Sequence, residues 1–141
     1  MNTHIAYDIG AKEVAIHLSR ILNCPLVMSD FSRLLIDPNR GVDDPTLVMK
    51  ISDDKIIEGN KNIHNFNESV EKNKRIENYY NSYHDKVSKL VKQKINNEQF
   101  PAIISIHSFT PFWKNIKRNI DIGILWDNDE RLPNIFFNYF K

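Results

Sequence analysis

The chain has 141 residues, 41% of them hydrophobic and 26% charged, and its formal net charge is +1. This composition is typical of a globular protein of one domain, and the near-neutral charge disfavours nucleic acid and membrane surfaces as partners. The single cysteine, Cys24, excludes an internal disulfide and favours a reducing cytoplasm. No apolar run reaches the ~20 residues of a membrane span, and the first ten residues lack a signal-peptide pattern. We therefore expect a cytoplasmic protein.

The N-terminal part of the sequence predicts one helix followed by two short strands. Apolar residues at helical spacing indicate an amphipathic helix over 8–22, with Asp8 as its N-cap. The segment 26–28 ("LVM") is a buried-strand candidate, and 33–36 ("RLLI") is a second one that ends at an Asp-Pro turn. Cys24 lies between the helix and the first strand, where we expect a buried structural thiol.

The remaining sequence predicts a long polar loop, a long helix and two further strands. The stretch 41–67 is polar and predicts a loop with room for one short strand. An apolar stripe predicts a helix over 68–95. The runs 102–106 ("AIISI") and 122–126 ("IGILW") predict strands, and the start of another helix follows after about residue 130. Strands alternating with helices predict an α/β domain with a mostly parallel sheet flanked by helices.

Polar residues at the carboxyl ends of strands are the first candidates for chemistry, because ligands collect at that edge of a parallel sheet. His107 follows the run 102–106, and a neutral imidazole there can bind a metal or accept a proton. The alternative is a histidine that is hydrogen-bonded to a loop carbonyl. Asn39 and Arg40 follow the segment 33–36, where an amide and a guanidinium could hold a carboxylate. The alternative is a turn in which Asn39 caps and Arg40 forms an ion pair.

The long helix carries two further candidates. His84 lies on its aromatic stripe, as either a core or rim histidine or a ligand, and Arg75 could reach the same side. The other histidines, His4, His17 and His64, have no supporting context. The sequence contains no HExxH or HxxE pair, so a local zinc signature is absent.

Four segments carry a family resemblance across nearly the whole chain. They are "HIAYDIGAKEVAIHLS", "SRLLIDPNR", "YHDKV" and "IISIHSFTPFW…DIGIL". In order and approximate spacing they resemble the N-formylglutamate amidohydrolase family. The resemblance implies the α/β architecture of the zinc-carboxypeptidase-like hydrolases (a phosphorylase/hydrolase-like fold), which cleave an amide beside a free carboxylate.

The resemblance also implies a zinc site and a carboxylate site. His107 would be a catalytic zinc ligand, and Asp8 would be a second ligand. The candidates for substrate binding are Arg33, Asn39, Arg40, Arg75 and His84. Zinc would polarise the formyl carbonyl and lower the pKa of a bound water towards ~7, so that hydroxide attacks a small N-acyl amino acid such as N-formylglutamate, giving formate and glutamate. We expect Asp8, Asn39, Arg40 and His107 to converge in one cleft.

The sequence departs from the family pattern at both ends. Family members usually begin with a strand that carries a first metal-binding histidine, and they continue into strands that supply an acidic general base. We therefore expect a partial domain over 1–141, an incomplete zinc ligand set, and apolar edges that favour self-association or pairing with a complementary fragment. Two functions stay open. One is a zinc amidohydrolase, active alone or once joined to a missing piece; the other is a non-catalytic fragment or decayed paralogue that keeps only the carboxylate pocket.

Overall fold

A computed structural model of the protein describes residues 6–52, 54–63, 69–113 and 116–140. The chain divides into two compact units, Met1–Phe109 and Thr110–Lys141. All the residues predicted to take part in binding or catalysis belong to the first unit. Of the other histidines, His4 and His64 lie outside the described residues.

The first helix, α1, spans Ala11–Ile21, inside the predicted range. Gly10 precedes it with a φ of 79°, a left-handed conformation that glycine adopts without steric cost. The prediction that Asp8 is the N-cap is therefore wrong, because Gly10 occupies that position and the helix has no side-chain cap. Asp8 contributes only its carbonyl oxygen, which accepts a bond from the N–H of Ala11 at 3.3 Å. Its carboxylate is left for other contacts.

The stretch predicted as a polar loop contains local structure of its own. Strand β1 (Ile51–Ser52) pairs antiparallel with β2 (Lys55–Ile56), and Ile51 lies opposite Ile56. A short 3₁₀ helix over Glu58–Asn60 follows. The prediction of a loop with one short strand is correct in kind, although the strand is a two-residue hairpin arm with a partner.

The long helix predicted over 68–95 is confirmed over Ser69–Asn96, and Glu68 lies outside the described residues. It consists of α2 (Ser69–Arg75), a π-helical segment, π1 (Ile76–Asn81), and α3 (Ser82–Asn96). The apolar stripe of the sequence predicts the helix correctly. It gives no sign of the change from α to π geometry.

The buried core of the first unit draws mainly on the predicted loop. Ile36, Leu47 and Val48 are fully buried, and together with Ile63 they form one apolar cluster. Three of these four residues lie between 41 and 67. The side chains that pack against the cluster are Phe31, Ile76 and Tyr80. The N–H of Asp37 donates to the carbonyl of Leu47 at 2.8 Å, which joins the two sequence segments of the cluster.

The predicted parallel sheet is not shown by the described residues. The segment 33–36 is a turn, because Leu35 N and Ile36 N both donate to the carbonyl of Ser32, while the Ser32 hydroxyl accepts from Leu34 N. Serine side chains compete with regular secondary structure through such local bonds. The strand prediction for 33–36 is therefore wrong.

The other three predicted strands have no ladder partner in the described part of the chain. Residues 24–30, 99–110 and 122–126 contain no helix, strand, turn or bend. They run on without a sharp change of direction, as strands do, but the backbone bonds that would make a sheet are not formed. The fold that the structure shows is mixed α and β, with helices and small antiparallel ladders.

Among its described residues, the second unit has one hairpin and one helix. Strands β3 (Phe112–Trp113) and β4 (Ile116–Lys117) pair antiparallel, and helix α4 spans Arg131–Tyr139. The prediction of a helix after residue 130 is confirmed. Trp126 contacts Phe137 edge-on, with ring centroids 5.3 Å apart.

Two further expectations concern Cys24 and membrane-spanning helices. Cys24 is exposed, so the prediction of a buried thiol is wrong; the segment that follows it packs under no described sheet. Among the helices of the described ranges, none combines the length and the hydropathy needed to cross a bilayer.

Candidate functional site

The carboxylate of Asp8 joins two distant parts of the first unit. Its Oδ2 lies 2.7 Å from Nδ1 of His107, and its Oδ1 accepts a bond from the guanidinium of Arg33 at 3.2 Å. Backbone contacts prepare this arrangement, since Arg33 N and the Ser32 hydroxyl both donate to the carbonyl of buried Ala6. Asp8 and His107, which are 99 positions apart in the sequence, therefore meet in space.

The contact with Asp8 fixes the chemistry of the His107 ring. A carboxylate oxygen accepts, so Nδ1 carries the proton of this bond. In the neutral imidazole, Nε2 then holds a free electron pair, and it has no hydrogen-bond partner among the described residues. The side chain is half exposed. An imidazole oriented in this way by a carboxylate is suited to binding a metal or accepting a proton through Nε2.

Arg33 continues the contact to a second carboxylate. Its NH2 group donates to Oδ2 of Asp37 at 3.1 Å, and Nε of Arg40 lies 3.9 Å from the same oxygen. Asp37 is buried, and its Oδ1 also accepts the N–H of Asn39 at 3.0 Å. The side chains of His107, Asp8, Arg33, Asp37 and Arg40 thus form one continuous line, which we call the charged line.

Arg40 and Asn39 lie at the open end of the charged line. Both are exposed, and the side-chain amide of Asn39 has no hydrogen-bond partner within the described residues. Arg40 also acts on the adjacent turn: the pKa of Asp44 is held below its ordinary value by the Thr46 hydroxyl first, then by the Thr46 N–H, and additionally by the charge of Arg40. An exposed guanidinium beside an exposed amide is suited to receiving a carboxylate.

Arg75 and His84 lie elsewhere. Arg75 is buried, and four of its N–H groups are directed at protein oxygens. Those acceptors are Glu71 Oε1, Leu35 O, Asn60 Oδ1 and Gly59 O. His84 places Nε2 3.0 Å from the carbonyl of Pro38. Arg75 and His84 therefore bind backbone carbonyls of the 35–40 segment, which carries Asn39 and Arg40. Few of their polar atoms remain available for direct substrate contact.

Two residues of this region, Asp37 and Asn60, are not predicted by the sequence. Asp37 is the buried hub of the charged line; its place before Pro-Asn-Arg indicates only a turn, although an Asp that accepts the N–H two residues on is a common turn device. Asn60 is buried, and its amide donates to Leu34 O at 2.6 Å and Met49 O at 2.8 Å. No pattern in the polar stretch around Asn60 distinguishes it from its neighbours.

The described residues do not complete a metal site. No group of three His, Cys, Asp or Glu side chains within the described ranges is placed to hold an ion. Catalytic zinc takes three protein ligands. His107 offers one ring nitrogen, and both carboxylate oxygens of Asp8 already have partners. The donor set present among these residues does not fit zinc by itself.

The sequence model of the N-formylglutamate amidohydrolase family matches residues 1–141, the whole chain. The chain belongs to the N-formylglutamate amidohydrolase family. A search among curated proteins gave no match.

A solved structure has a similar fold. The chain is similar to the crystal structure of gene product Atu2144 from Agrobacterium tumefaciens, with 34% sequence identity and a TM-score of 0.90. The match covers 97% of this chain and 53% of the other. This family member therefore spans about half the length of the solved protein that it matches.

Proposed function

We propose that this protein supplies the carboxylate-binding side of an amidohydrolase that acts on N-acyl amino acids. The reaction adds water across the amide, so that N-formylglutamate gives formate and glutamate. The observation that carries the proposal is the charged line. It places a histidine with an available Nε2 at one end and an exposed guanidinium beside an amide at the other.

The substrate's carboxylate is bound at the Arg40 end. Arg40 and Asn39 are exposed on one turn, and the buried carboxylate of Asp37 contacts the guanidinium of Arg40 and the N–H of Asn39. That contact orients the Arg40 fork without covering it. Arg33 is half-buried and bridges Asp8 and Asp37, so its main part is to connect the two ends.

His107 acts at the scissile amide, as a metal donor or as a proton acceptor through Nε2. Asp8 supports His107 by accepting the hydrogen bond from Nδ1. Both carboxylate oxygens of Asp8 already have partners, so Asp8 is better suited to this role than to direct metal ligation. Zinc, when bound, would polarise the amide carbonyl and acidify a water molecule. A zinc site at His107 needs further protein donors. We therefore propose zinc as a cofactor only where those further donors are supplied.

The carboxylate part of the proposal is tested by titrating the purified chain with N-formyl-L-glutamate in a calorimeter. Arg40→Met should raise Kd about tenfold or more, because a charge-assisted hydrogen bond is lost. Arg20→Met is the matched control, since Arg20 is an exposed arginine on α1. Equal affinity of the Arg40→Met variant and the parent chain would remove the carboxylate site.

The chemical part is tested by measuring formate release with added zinc. We expect slow or undetectable release by the 141-residue chain, because the described donors do not complete a zinc site. Any release that occurs should disappear in His107→Ala, while that variant should still bind N-formyl-L-glutamate. Release that survives His107→Ala contradicts the role given to this histidine.

The alternative is a non-catalytic protein that keeps only the carboxylate pocket. The contacts of Asp8 support it, since both of its carboxylate oxygens are engaged by His107 and Arg33, whereas Asn39 and Arg40 are exposed. Binding of N-formyl-L-glutamate without formate release, at saturating zinc, is the result that this alternative requires.

We also propose that the unpaired segments 24–30 and 99–106 form pairs with further β-strands, from another copy of the chain or a complementary polypeptide. Apart from the N–H of Cys24 and Gln99 and the carbonyl of Cys24, their backbone groups have no hydrogen-bond partner in the described part of the chain. Ile103 and Ile104 are 65% and 43% exposed. Exposed apolar strand edges recruit other strands. Light scattering should show self-association of the parent chain, and Ile104→Lys should reduce it. Ile135→Lys, which changes an exposed side chain of α4, should not.

A further inference from the structure

The π-helical segment π1 interrupts the long helix next to the carboxylate turn. Regular α geometry precedes it to Arg75 and resumes at Ser82. π-Helical hydrogen bonds join residues five apart, so each turn holds more residues than an α turn, and such segments are rare and occur often at functional sites. The sequence around π1 contains no proline or glycine that would explain the break.

The wider turns of π1 change which residues share a face. Arg75 and His84 are nine residues apart, which is about 2.5 turns of a regular α-helix at about 3.6 residues per turn. In an unbroken α-helix they would point to opposite sides. In the structure both reach the same short segment, since Arg75 contacts Leu35 O and His84 contacts Pro38 O.

Tyr80, inside π1, contacts the same segment. Its hydroxyl donates to the carbonyl of Arg40 at 2.8 Å, and its ring lies 4.2 Å from that of His84. Because a carbonyl oxygen only accepts, His84 carries a proton on Nε2 in its bond to Pro38. Three backbone carbonyls between residues 35 and 40 are thus each held by one side chain of the long helix.

We propose that Arg75, Tyr80 and His84 are positioning residues for the carboxylate site, brought onto one helix face by π1. They hold the 35–40 turn through its backbone, which leaves the side chains of Asn39 and Arg40 facing outward. This inference rests on the proposed function, because it gives the turn a ligand to be positioned for. The three residues do not touch the ligand and act through Arg40 and Asn39.

A first test removes single contacts and keeps the helix. Tyr80→Phe removes one hydroxyl, and the matched Tyr83→Phe removes a hydroxyl that has no hydrogen-bond partner in the described ranges. Tyr80→Phe should weaken binding of N-formyl-L-glutamate about threefold to tenfold and speed amide exchange of Asn39 and Arg40. Tyr83→Phe should change neither. His84→Gln, which keeps a donor, should restore much of what His84→Leu loses.

A second test removes the π geometry. Deleting Asn78, an exposed residue of π1, should convert the segment to α and leave Arg75, Tyr80 and His84 at successive spacings of four residues, which share one face of an α-helix. Circular dichroism should show the same helix content, and the affinity should stay near that of the parent chain, because the three side chains keep a common face. A loss of affinity larger than that of Tyr80→Phe contradicts the role given to π1. Asn78→Ala keeps the register and is the control. If the deletion unfolds the chain, the Tyr80 and His84 variants decide the matter.

The outcomes separate this inference from the function on which it rests. If the parent chain does not bind N-formyl-L-glutamate, the proposed function fails, and amide exchange in the 35–40 turn still reports whether the three residues hold it. If Tyr80→Phe and His84→Leu leave both exchange and affinity at the parent values, the positioning role is overturned.

Discussion

Arg75 in the first unit and Arg131 in the second use the same chemical group in opposite surroundings. Arg75 is buried and donates to Glu71, Asn60 and two backbone carbonyls at 2.7 to 3.4 Å. The side chain of Arg131 is 86% exposed and donates hydrogen bonds to Asp129, the shortest of them 2.6 Å long. By geometry alone, the exposed pair is the better one.

Burial reverses that order. An exposed ion pair competes with water and contributes little to stability. A buried guanidinium cannot be removed without leaving its buried and half-buried acceptors, here Asn60 Oδ1 and Leu35 O, unsatisfied, and each unsatisfied group is costly. The network around Arg75 and Asn60 therefore holds the site together, whereas the Asp129 pair influences mainly its own titration.

Arg75→Met should give the largest effect. The substitution keeps the bulk of the stem and leaves buried Asn60 Oδ1 and half-buried Leu35 O without this donor, which should lower the free energy of unfolding by about 3 kcal/mol. Urea denaturation measures it. Lys74→Met changes the exposed residue next to Arg75 and is the control. Its free energy of unfolding should stay near that of the parent chain. A loss of under about 1 kcal/mol would show that burial does not separate the two arginines.

Ile36→Val should give an intermediate effect. Ile36 is fully buried against Leu47 and Val48, and removing one methylene from such a site costs about 1 kcal/mol. Ile51→Val makes the same change on a side chain that is 62% exposed, and it should shift the urea midpoint little. Equal shifts in the two variants would mean that the 36–63 cluster is not the core of the first unit.

Asp129 should give the smallest effect, visible in titration. The Arg131 side chain first, and its backbone N–H second, lower the pKa of Asp129 from 3.8 to about 2. Since the folded pKa is the lower one, the small stabilisation is present above pH 3.8 and disappears as pH falls through about 2. An NMR titration of the carboxyl carbon measures the midpoint. Arg131→Gln should raise it, Lys117→Gln should not, and an unchanged midpoint in Arg131→Gln contradicts the assignment.

The helices could be predicted from the sequence because each carries its own periodic signal. The ranges 8–22 and 68–95 agree with α1 and with Ser69–Asn96 to within a few residues. The core could not be predicted, because Leu47, Val48 and Ile63 lie in a mainly polar stretch whose apolar residues follow neither a helical nor a strand period. The strand prediction for 33–36 is wrong for a different reason: Ser32 closes a turn, and the apolar composition of the segment conceals it.

The site was predictable in its residues and unpredictable in its connections. Arg33, Asn39, Arg40 and His107 follow from their motifs and the family resemblance, and their roles as ligands stay predictions. The contact between Asp8 and His107 spans 99 positions, which no local pattern encodes. Arg75 was expected near a substrate because the sequence reveals neither its burial nor the π geometry that directs it at Leu35.

The charged line also has a kinetic consequence. Arg33 and Arg40 contribute two positive charges, and Asp8 and Asp37 contribute two negative ones, so these four side chains sum to zero. An approaching dicarboxylate would meet little long-range attraction, and the whole chain adds only +1. Its association rate should therefore change little with ionic strength. Selectivity would arise after encounter, when the ligand's carboxylate meets the terminal nitrogens of Arg40 that Asp37 leaves open at short range.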